Sequence, residues 1–203
     1  MGNQVTLIPQ PMLFLVIGCG GIGGNLVRDL PKLLIGNKKY KMMLIDGDIV
    51  DENNLKRQPY QTQDLNENKA RVLARKLNSF YDVNVLYYDN YLLANELNDI
   101  CIKYKNYLPI FLGCVDNDAT RKIIEENFNK QANAIYIDGA NSVHEGNVFV
   151  TCKRNKEVFG KLRSEVYTFD KDINPGLKSC EDAVSEGNTQ ILVTNSKIAI
   201  AML

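Results

Sequence analysis

Residues Met12 to Gln58 read MLFLVIGCGGIGGNLVRDLPKLLIGNKKYKMMLIDGDIVDENNLKRQ, and the rest of the chain is best read outward from them. The apolar run Met12 to Ile17 stops at Gly18. Gly20, Gly21, Gly23 and Gly24 then accompany a segment, Ile22 to Ile35, whose apolar residues fall near helical spacing. That pattern predicts strand, glycine turn and helix. Gly18, Gly20 and Gly23 fit G-x-G-x-x-G, a turn in which glycine permits tight reversal, approach of a phosphate to the backbone, and close packing of helix on strand. The helix start adds free N–H groups and the positive end of a dipole. A second apolar run, Met42 to Ile45, delivers Asp46 where a ribose-binding carboxylate sits on such a sheet. Up to this point a nicotinamide-dependent oxidoreductase fits as well as an ATP-using enzyme.

The continuation from Asp46 to Gln58, DGDIVDENNLKRQ, is a polar, charged loop for which a nicotinamide site has no evident need. Here the chain resembles the ThiF/MoeB/HesA adenylyltransferase family, whose fold is shared with the ubiquitin-activating enzymes. The family's pattern after its second strand is D-x-D-x-V, a short spacer, then N-L-x-R-Q. Asp46, Asp48, Val50, Asn54, Leu55, Arg57 and Gln58 match it. The resemblance implies an α/β fold: a Rossmann-like, mostly parallel sheet with helices on both faces and a long crossover loop before a C-terminal helix. It also implies ATP and Mg²⁺ as cofactors, with Asp46 on the ribose and Asn54, Arg57 and Lys69 on phosphate oxygens. Gly18, Gly20, Gly21, Gly23, Asp48 and Gln58 complete the expected nucleotide site.

The 203 residues suit one domain with an extended loop near residues 154–186. Hydrophobic content of 45% and 24% charged residues are those of a water-soluble globular protein, expected in the cytoplasm. Lys+Arg 24 balances Asp+Glu 24, which gives no support for general nucleic-acid or membrane binding. The five cysteines are scattered without C-x-x-C, so we expect neither a disulfide framework nor a zinc cluster. The opening MGNQVTLIPQPMLFLVIG has no basic start and is interrupted by Pro9 and Pro11, unlike an export signal. Gly2 with Thr6 matches the short myristoylation pattern. No run is long enough to span a bilayer.

Downstream, Asp64 to Tyr81 is expected to be a helix capped by Asn66 or Asp64, with Arg71, Arg75 and Lys76 on a solvated face. Lys69 stands apart because it falls in the first turn, where a lysine works against the dipole, and its distance from N-L-x-R-Q matches the family's phosphate-binding lysine. A third strand (Val83 to Asp89), a helix (Asn95 to Lys105) and a buried fourth strand (Pro109 to Val115) follow. Open α/β sheets bind ligands at the carboxyl ends of their strands, which places Asp116 beside the glycine turn. The resemblance makes Asp116 the Mg²⁺ ligand, followed by Arg121; helix capping is the competing role for Asp116 or Asn117. A helix is expected over Lys122 to Gln131, strands over Ala134 to Asp138 and Asn147 to Lys153, one more strand near Glu165 to Phe169, and a last helix over Thr189 to Leu203.

The implied chemistry is attack of a carboxylate on the α-phosphorus of ATP with loss of pyrophosphate, which rests on positioning and electrostatics. A carboxylate is already ionised at neutral pH, so His144, the one histidine, is not needed as a base. The implied substrate and partner is the C-terminal glycine of a small ubiquitin-like or sulfur-carrier protein, within a homodimer or heterodimer. Cys180 alone lies in a polar loop near a helix start, and members that make a thioester carry their cysteine in this region; Lys178 favours its thiolate and Glu181 and Asp182 oppose it. The catalytic set is therefore Arg57, Lys69, Asp116 and Cys180. The absence of G-x-x-x-x-G-K-[ST] argues against a P-loop enzyme. No arginine precedes Arg28, whereas many family members reach an N-terminal arginine into a partner's site. The compact plan, with Lys178-Ser179-Cys180 before the last helix, resembles ThiF-like proteins of bacterial mobile-element gene clusters. Dehydration of a modified tRNA base, peptide activation, and a silent binding subunit are the other readings on this fold.

Overall fold

The structure, a computed structural model, describes residues 10–142, 145–169, 172–177 and 192–203. Seven strands form one sheet in the order β3-β2-β1-β4-β5-β6-β7. They are β1 (Met12–Ile17), β2 (Tyr40–Ile45), β3 (Val85–Tyr88), β4 (Leu108–Gly113), β5 (Ala134–Asn141), β6 (Gly146–Arg154) and β7 (Glu157–Phe159). The first five are parallel to one another, and β6 and β7 are antiparallel. This is the mostly parallel, Rossmann-like α/β sheet expected from the sequence.

Side-chain alternation on β1 divides the core in two. Phe14 and Val16 pack with α1 (Gly21–Leu26), α2 (Lys69–Tyr81) and α5 (Leu192–Met202), while Leu13, Leu15 and Ile17 pack with α3 (Ala94–Lys103) and α4 (Asp118–Lys130). Helices thus cover both faces, which is why β1 is apolar at every position rather than every second one. Each fully buried Leu or Ile contributes about 1.5–3 kcal/mol of transfer free energy.

Several boundaries differ from the sequence reading. The helix expected to run to Ile35 ends at Leu26, and Leu30–Leu34 forms a 3₁₀ turn instead. Pro31 lacks an N–H and disfavours helix in the residue before it. The helix expected from Asp64 begins at Lys69: its cap is Asn68, whose side chain accepts from the Arg71 N–H at 3.0 Å, and Asn66 has a left-handed φ of 65°. Asp64 is wholly buried and accepts from the Gln61 N–H and from Lys76. α4 begins four residues earlier than expected because Asn117 accepts from the Thr120 N–H at 2.9 Å. Residues 165–169 contain no strand; the extra strand is β7, joined to β6 by the two-residue turn Asn155-Lys156, both with positive φ. That is the geometry of a two-residue hairpin.

No helix among the described residues is long and apolar enough to cross a membrane.

Candidate nucleotide site

Connections from β1 run outward to β2 and β3 on one side, and from β4 to β5 on the other, so the order of the sheet reverses between β1 and β4. Open α/β sheets bind ligands at such a switch point. The loops after β1 and β4 meet there: a Cβ built on Gly18 would lie 2.7 Å from the Cys114 carbonyl oxygen. Asp116 is exposed two residues further along, and the expected juxtaposition of the glycine turn with the Asp116 turn is present.

The glycines of the turn are not equivalent. Gly18 holds a φ of 94°, and a methyl on Gly23 would come within 1.9 Å of the Gly18 carbonyl oxygen, so both are required by the fold itself. Gly21 opens α1 beneath Asn195 of α5. Gly20 differs, because the nearest atom to a Cβ there is the Gln58 side-chain nitrogen at 3.8 Å. Packing does not demand a glycine at that position; an open backbone suits the approach of a bulky anion. Gln58 lies over this opening, and its side-chain oxygen, Oε1, is buried without a hydrogen-bond partner among the described residues.

The loop from Asp46 to Gln58 folds back against the turn. One Asp46 carboxylate oxygen accepts from the Cys19 N–H at 2.6 Å and the other from the Asp48 N–H at 2.8 Å. Burial, with the Asp48 charge, pushes the Asp46 carboxyl up to about 6, against the pull of Lys69 and those two N–H donors. Burial also raises Asp48, but the Lys69 ammonium and the Tyr91 hydroxyl outweigh it and hold Asp48 below the usual carboxylate value. The Asp48 carboxylate accepts from Lys69 at 2.8 Å and from Tyr91 at 2.6 Å. Burial works against the Lys69 charge, yet Asp48 and Asp46 keep its pKa above that of an ordinary lysine. Lys69 is thus a buried cation whose partner is about half exposed, with side-chain exposures of 7% and 46%.

Asn68 explains how Lys69 gets there. Its side-chain nitrogen donates to the carbonyls of Asp46 at 2.8 Å and Asp48 at 3.1 Å, and the Lys69 N–H donates to the Asp48 carbonyl at 2.9 Å. The cap of α2 is stitched to the loop after β2. The other three basic residues of α2 behave as expected of a solvated face, except that Lys76 and Arg75 converge on the buried Asp64; Arg71 pairs with Asp89. Asn54 is buried and trades hydrogen bonds with Asp51 at 3.0 and 3.2 Å, which shapes the loop. Arg57 is half-buried and ends a short 3₁₀ turn, with no ion pair or side-chain hydrogen bond among the described residues.

Three contributors were missed from sequence. Tyr91 packs on Gly47 and flanks a recess of about 380 Å³ lined also by Tyr88, Asn90, Leu93, Glu96 and Gly176. Nothing in the local sequence pointed to it. Asn68 had a signal, an Asn one residue ahead of a helical run. Asp138, ending the apolar run of β5, is wholly buried and pairs with Arg163 and, at 3.4 Å, with Arg121. Cys180 and His144 lie outside the described residues. Cys19 is buried, and burial together with Asp46 pushes its thiol well up, so it is neutral packing in the turn. Burial likewise raises Cys101 and Cys114.

Among the described residues no group of three or more His, Cys, Asp or Glu side chains could enclose a metal. Mg²⁺ bound with a nucleotide needs only one or two carboxylates, the phosphates and water filling the rest. Asp116, exposed just past the Cys114–Val115 contact with Gly18 at the switch point, fits that requirement.

A sheet of this order, with helices on both faces, defines a Rossmann-like α/β fold. The ThiF family matches the chain over residues 11–196, and the chain belongs to that family, whose members are adenylyltransferases of the ubiquitin-activating type. Among solved structures it is similar to the selenomethionine crystal structure of PaaA, with a TM-score of 0.58 and 18% sequence identity over 94% of this chain. The chain spans about half of that protein's length, 53%. No curated protein matches the chain by sequence.

Proposed function

We propose that this chain binds ATP with Mg²⁺ at the switch point and adenylates the C-terminal carboxylate of a small ubiquitin-like or sulfur-carrier protein. The observation that carries the reading is the meeting of an open glycine backbone at Gly20 with a buried lysine, Lys69, held by the loop that also bears Arg57 and Gln58. A dinucleotide oxidoreductase leaves this space for a second nucleotide; here it is filled by a loop that brings cations.

In the reaction the substrate carboxylate oxygen forms a bond to the α-phosphorus, the bond from that phosphorus to pyrophosphate breaks, and no proton moves. Asp46 faces the ribose hydroxyls and, through the Cys19 N–H, holds the glycine turn in place. Lys69 leaves Asp48, or shares it, to meet a phosphate oxygen; the half-exposed Asp48 carboxylate can then turn to solvent or to Tyr91. Arg57 has no competing partner to release among the described residues. Asp116 would hold Mg²⁺, which when bound neutralises charge on the phosphates. Preorganised cations of this kind typically lower a barrier by about 2–4 kcal/mol each. Attack of the Cys180 thiolate on the acyl-adenylate, with release of AMP, is a second step proposed from sequence.

ATP–pyrophosphate exchange in the presence of candidate ubiquitin-like proteins ending in glycine tests the reading. Exchange that needs both the partner and Mg²⁺ is expected. Tight ATP binding with no exchange for any such partner, but with a tRNA or short peptide consumed instead, would replace the substrate.

A further inference from the structure

Asp138 and its two arginines belong to none of the roles above, although they are among the most buried charges in the protein. Asp138 is fully buried, and the side chains of Arg121 and Arg163 are 8% and 7% exposed. Asp138 accepts from the Arg163 guanidinium, and from the Tyr136 hydroxyl at 3.1 Å. Arg163 comes from the chain beyond β7 and lies against a pair of touching rings, 4.8 Å from the centre of Phe149 and 5.7 Å from that of Tyr167. Its Nη2 is buried with no hydrogen-bond partner among the described residues. Glu125 of α4 accepts from the next backbone N–H, that of Ser164, at 3.2 Å.

A buried ion pair with an unmet donor is poor value as a source of stability, since an apolar filling of the same volume is often as stable or better. What the cluster does supply is geometry. Arg121 donates to the Val115 carbonyl and, at 2.8 Å, to the Asp118 carboxylate. Those residues stand on either side of Asp116-Asn117. The same turn is gripped again from the crossover: the Asp172 carboxylate accepts from the Asp118 and Ala119 N–H groups, each at 2.7 Å. Asn174 and Gly176 continue across the sheet edge, Asn174 donating to the Leu92 carbonyl at 3.1 Å and Gly176 packing on Tyr91.

We propose that Asp138, with Arg121 and Arg163, is a positioning unit that sets the Asp116 turn, and that the crossover controls the turn through Arg163 and Asp172. The inference rests on the reading that Asp116 serves the nucleotide-bound Mg²⁺. A shift of the crossover at Asp172 would change the grip on Asp118 and Ala119, and so the metal ligand, without touching the glycine turn. Asp138 and Arg163 act through Arg121 and the turn; neither needs to touch substrate.

The test uses the full chain and three variants, Arg163→Met, Arg163→Lys and Asp172→Ala, the last at an exposed contact that leaves the buried cluster whole. Backbone hydrogen exchange is read at Asp118, Ala119 and Thr120 and, as a control, along β1. Arg163→Met and Asp172→Ala are each expected to speed exchange in the turn by about tenfold or more, with β1 within about twofold of wild type. Arg163→Lys, which can still pair with Asp138, is expected to restore most of the protection. The Mg²⁺ concentration that half-maximally tightens ATP binding is expected to rise about fivefold in Arg163→Met and Asp172→Ala, with ATP binding in EDTA unchanged. Unchanged exchange in the turn, or exchange raised equally along β1, overturns the proposal, the second outcome showing a merely structural role. If the wild type binds no ATP, the functional reading fails, and the exchange comparison still decides whether the crossover sets the turn.

Discussion

The two halves of the sheet's carboxyl edge solve the same problem by opposite means. Beside β1 and β2, Asp46 is held by the N–H groups of Cys19 and Asp48, and Lys69, though itself buried, pairs with an Asp48 carboxylate that is about half exposed. Beside β4 and β5, charges are fully buried and held by one another, with Asp138 between Arg121 and Arg163. The first arrangement leaves its cations able to change partners. The second does not, because an arginine that leaves Asp138 has nowhere to discharge its desolvation penalty. A movable cation suits a ligand that arrives and departs; a locked one suits the placing of something else.

That contrast is open to breakage, beginning with the largest effect. Asp138→Ala strands two buried guanidinium groups and should lower the unfolding free energy by about 3–5 kcal/mol in denaturant titration. Lys69→Ala, which frees a carboxylate already about half exposed, should cost far less. Equal losses would mean that both ends are locked.

Next in size, Arg57→Ala and Lys69→Ala should each reduce ATP–pyrophosphate exchange by about 2–4 kcal/mol in transition-state terms, roughly 30- to 1,000-fold, with little change in melting temperature for Arg57→Ala. Exchange at the wild-type rate in either variant removes that residue from the site.

The glycines offer a finer comparison. Gly23→Ala drives a methyl against the Gly18 carbonyl and should destabilise by about 1–3 kcal/mol, whereas Gly20→Ala has space in the free protein and should instead weaken ATP binding. If thermal melting shows Gly20→Ala to be the more destabilising of the two, that position serves the fold and the open backbone is not a ligand site.

The smallest effect is in pH. Asp46 has a folded-state pKa raised to about 6, above its unfolded value, so its ionisation costs stability above that pH and the cost fades as pH falls toward 4. Melting curves should therefore show Asp46→Asn gaining on wild type as pH rises from about 4 to about 6, with the difference level above that. ATP affinity of the wild type should drop as pH falls through the same range, because a protonated Asp46 loses acceptor capacity for ribose hydroxyls, and the variant should show a flatter profile. Parallel profiles would take Asp46 out of the ribose role.

The same contrast explains what was legible in the sequence. The β1–β2 end is local: glycine spacing, two apolar runs and the loop Asp46 to Gln58 lie in one continuous stretch, so the strand, the turn and the position of Asp46 could be read directly. Even there, side-chain roles escaped. Pro31 cut the first helix short, and Asn68 rather than Asp64 began the second, because several Asn and Asp residues compete as caps and only tertiary pairing to the Asp46 and Asp48 carbonyls selects one. The β4–β5 end is assembled from distant residues. Asp138 and Arg163 are 25 residues apart, and Asp172 caps a helix 54 residues earlier. No periodicity marks such pairs. The strand expected near Glu165 to Phe169 failed for a related reason: Tyr167 serves as a ring partner of Arg163 and a neighbour of Phe149, not as part of a ladder.

The central claim is that the edge between β1 and β4 is an ATP–Mg²⁺ site in which Lys69 and Arg57 take the place that a dinucleotide enzyme leaves for a second nucleotide. Isothermal titration of the full chain with ATP in Mg²⁺, ATP in EDTA, and NAD(H) tests it most directly. Binding of ATP that tightens with Mg²⁺, alongside no measurable binding of NAD(H), is the result expected; binding of NAD(H) without binding of ATP would contradict the account.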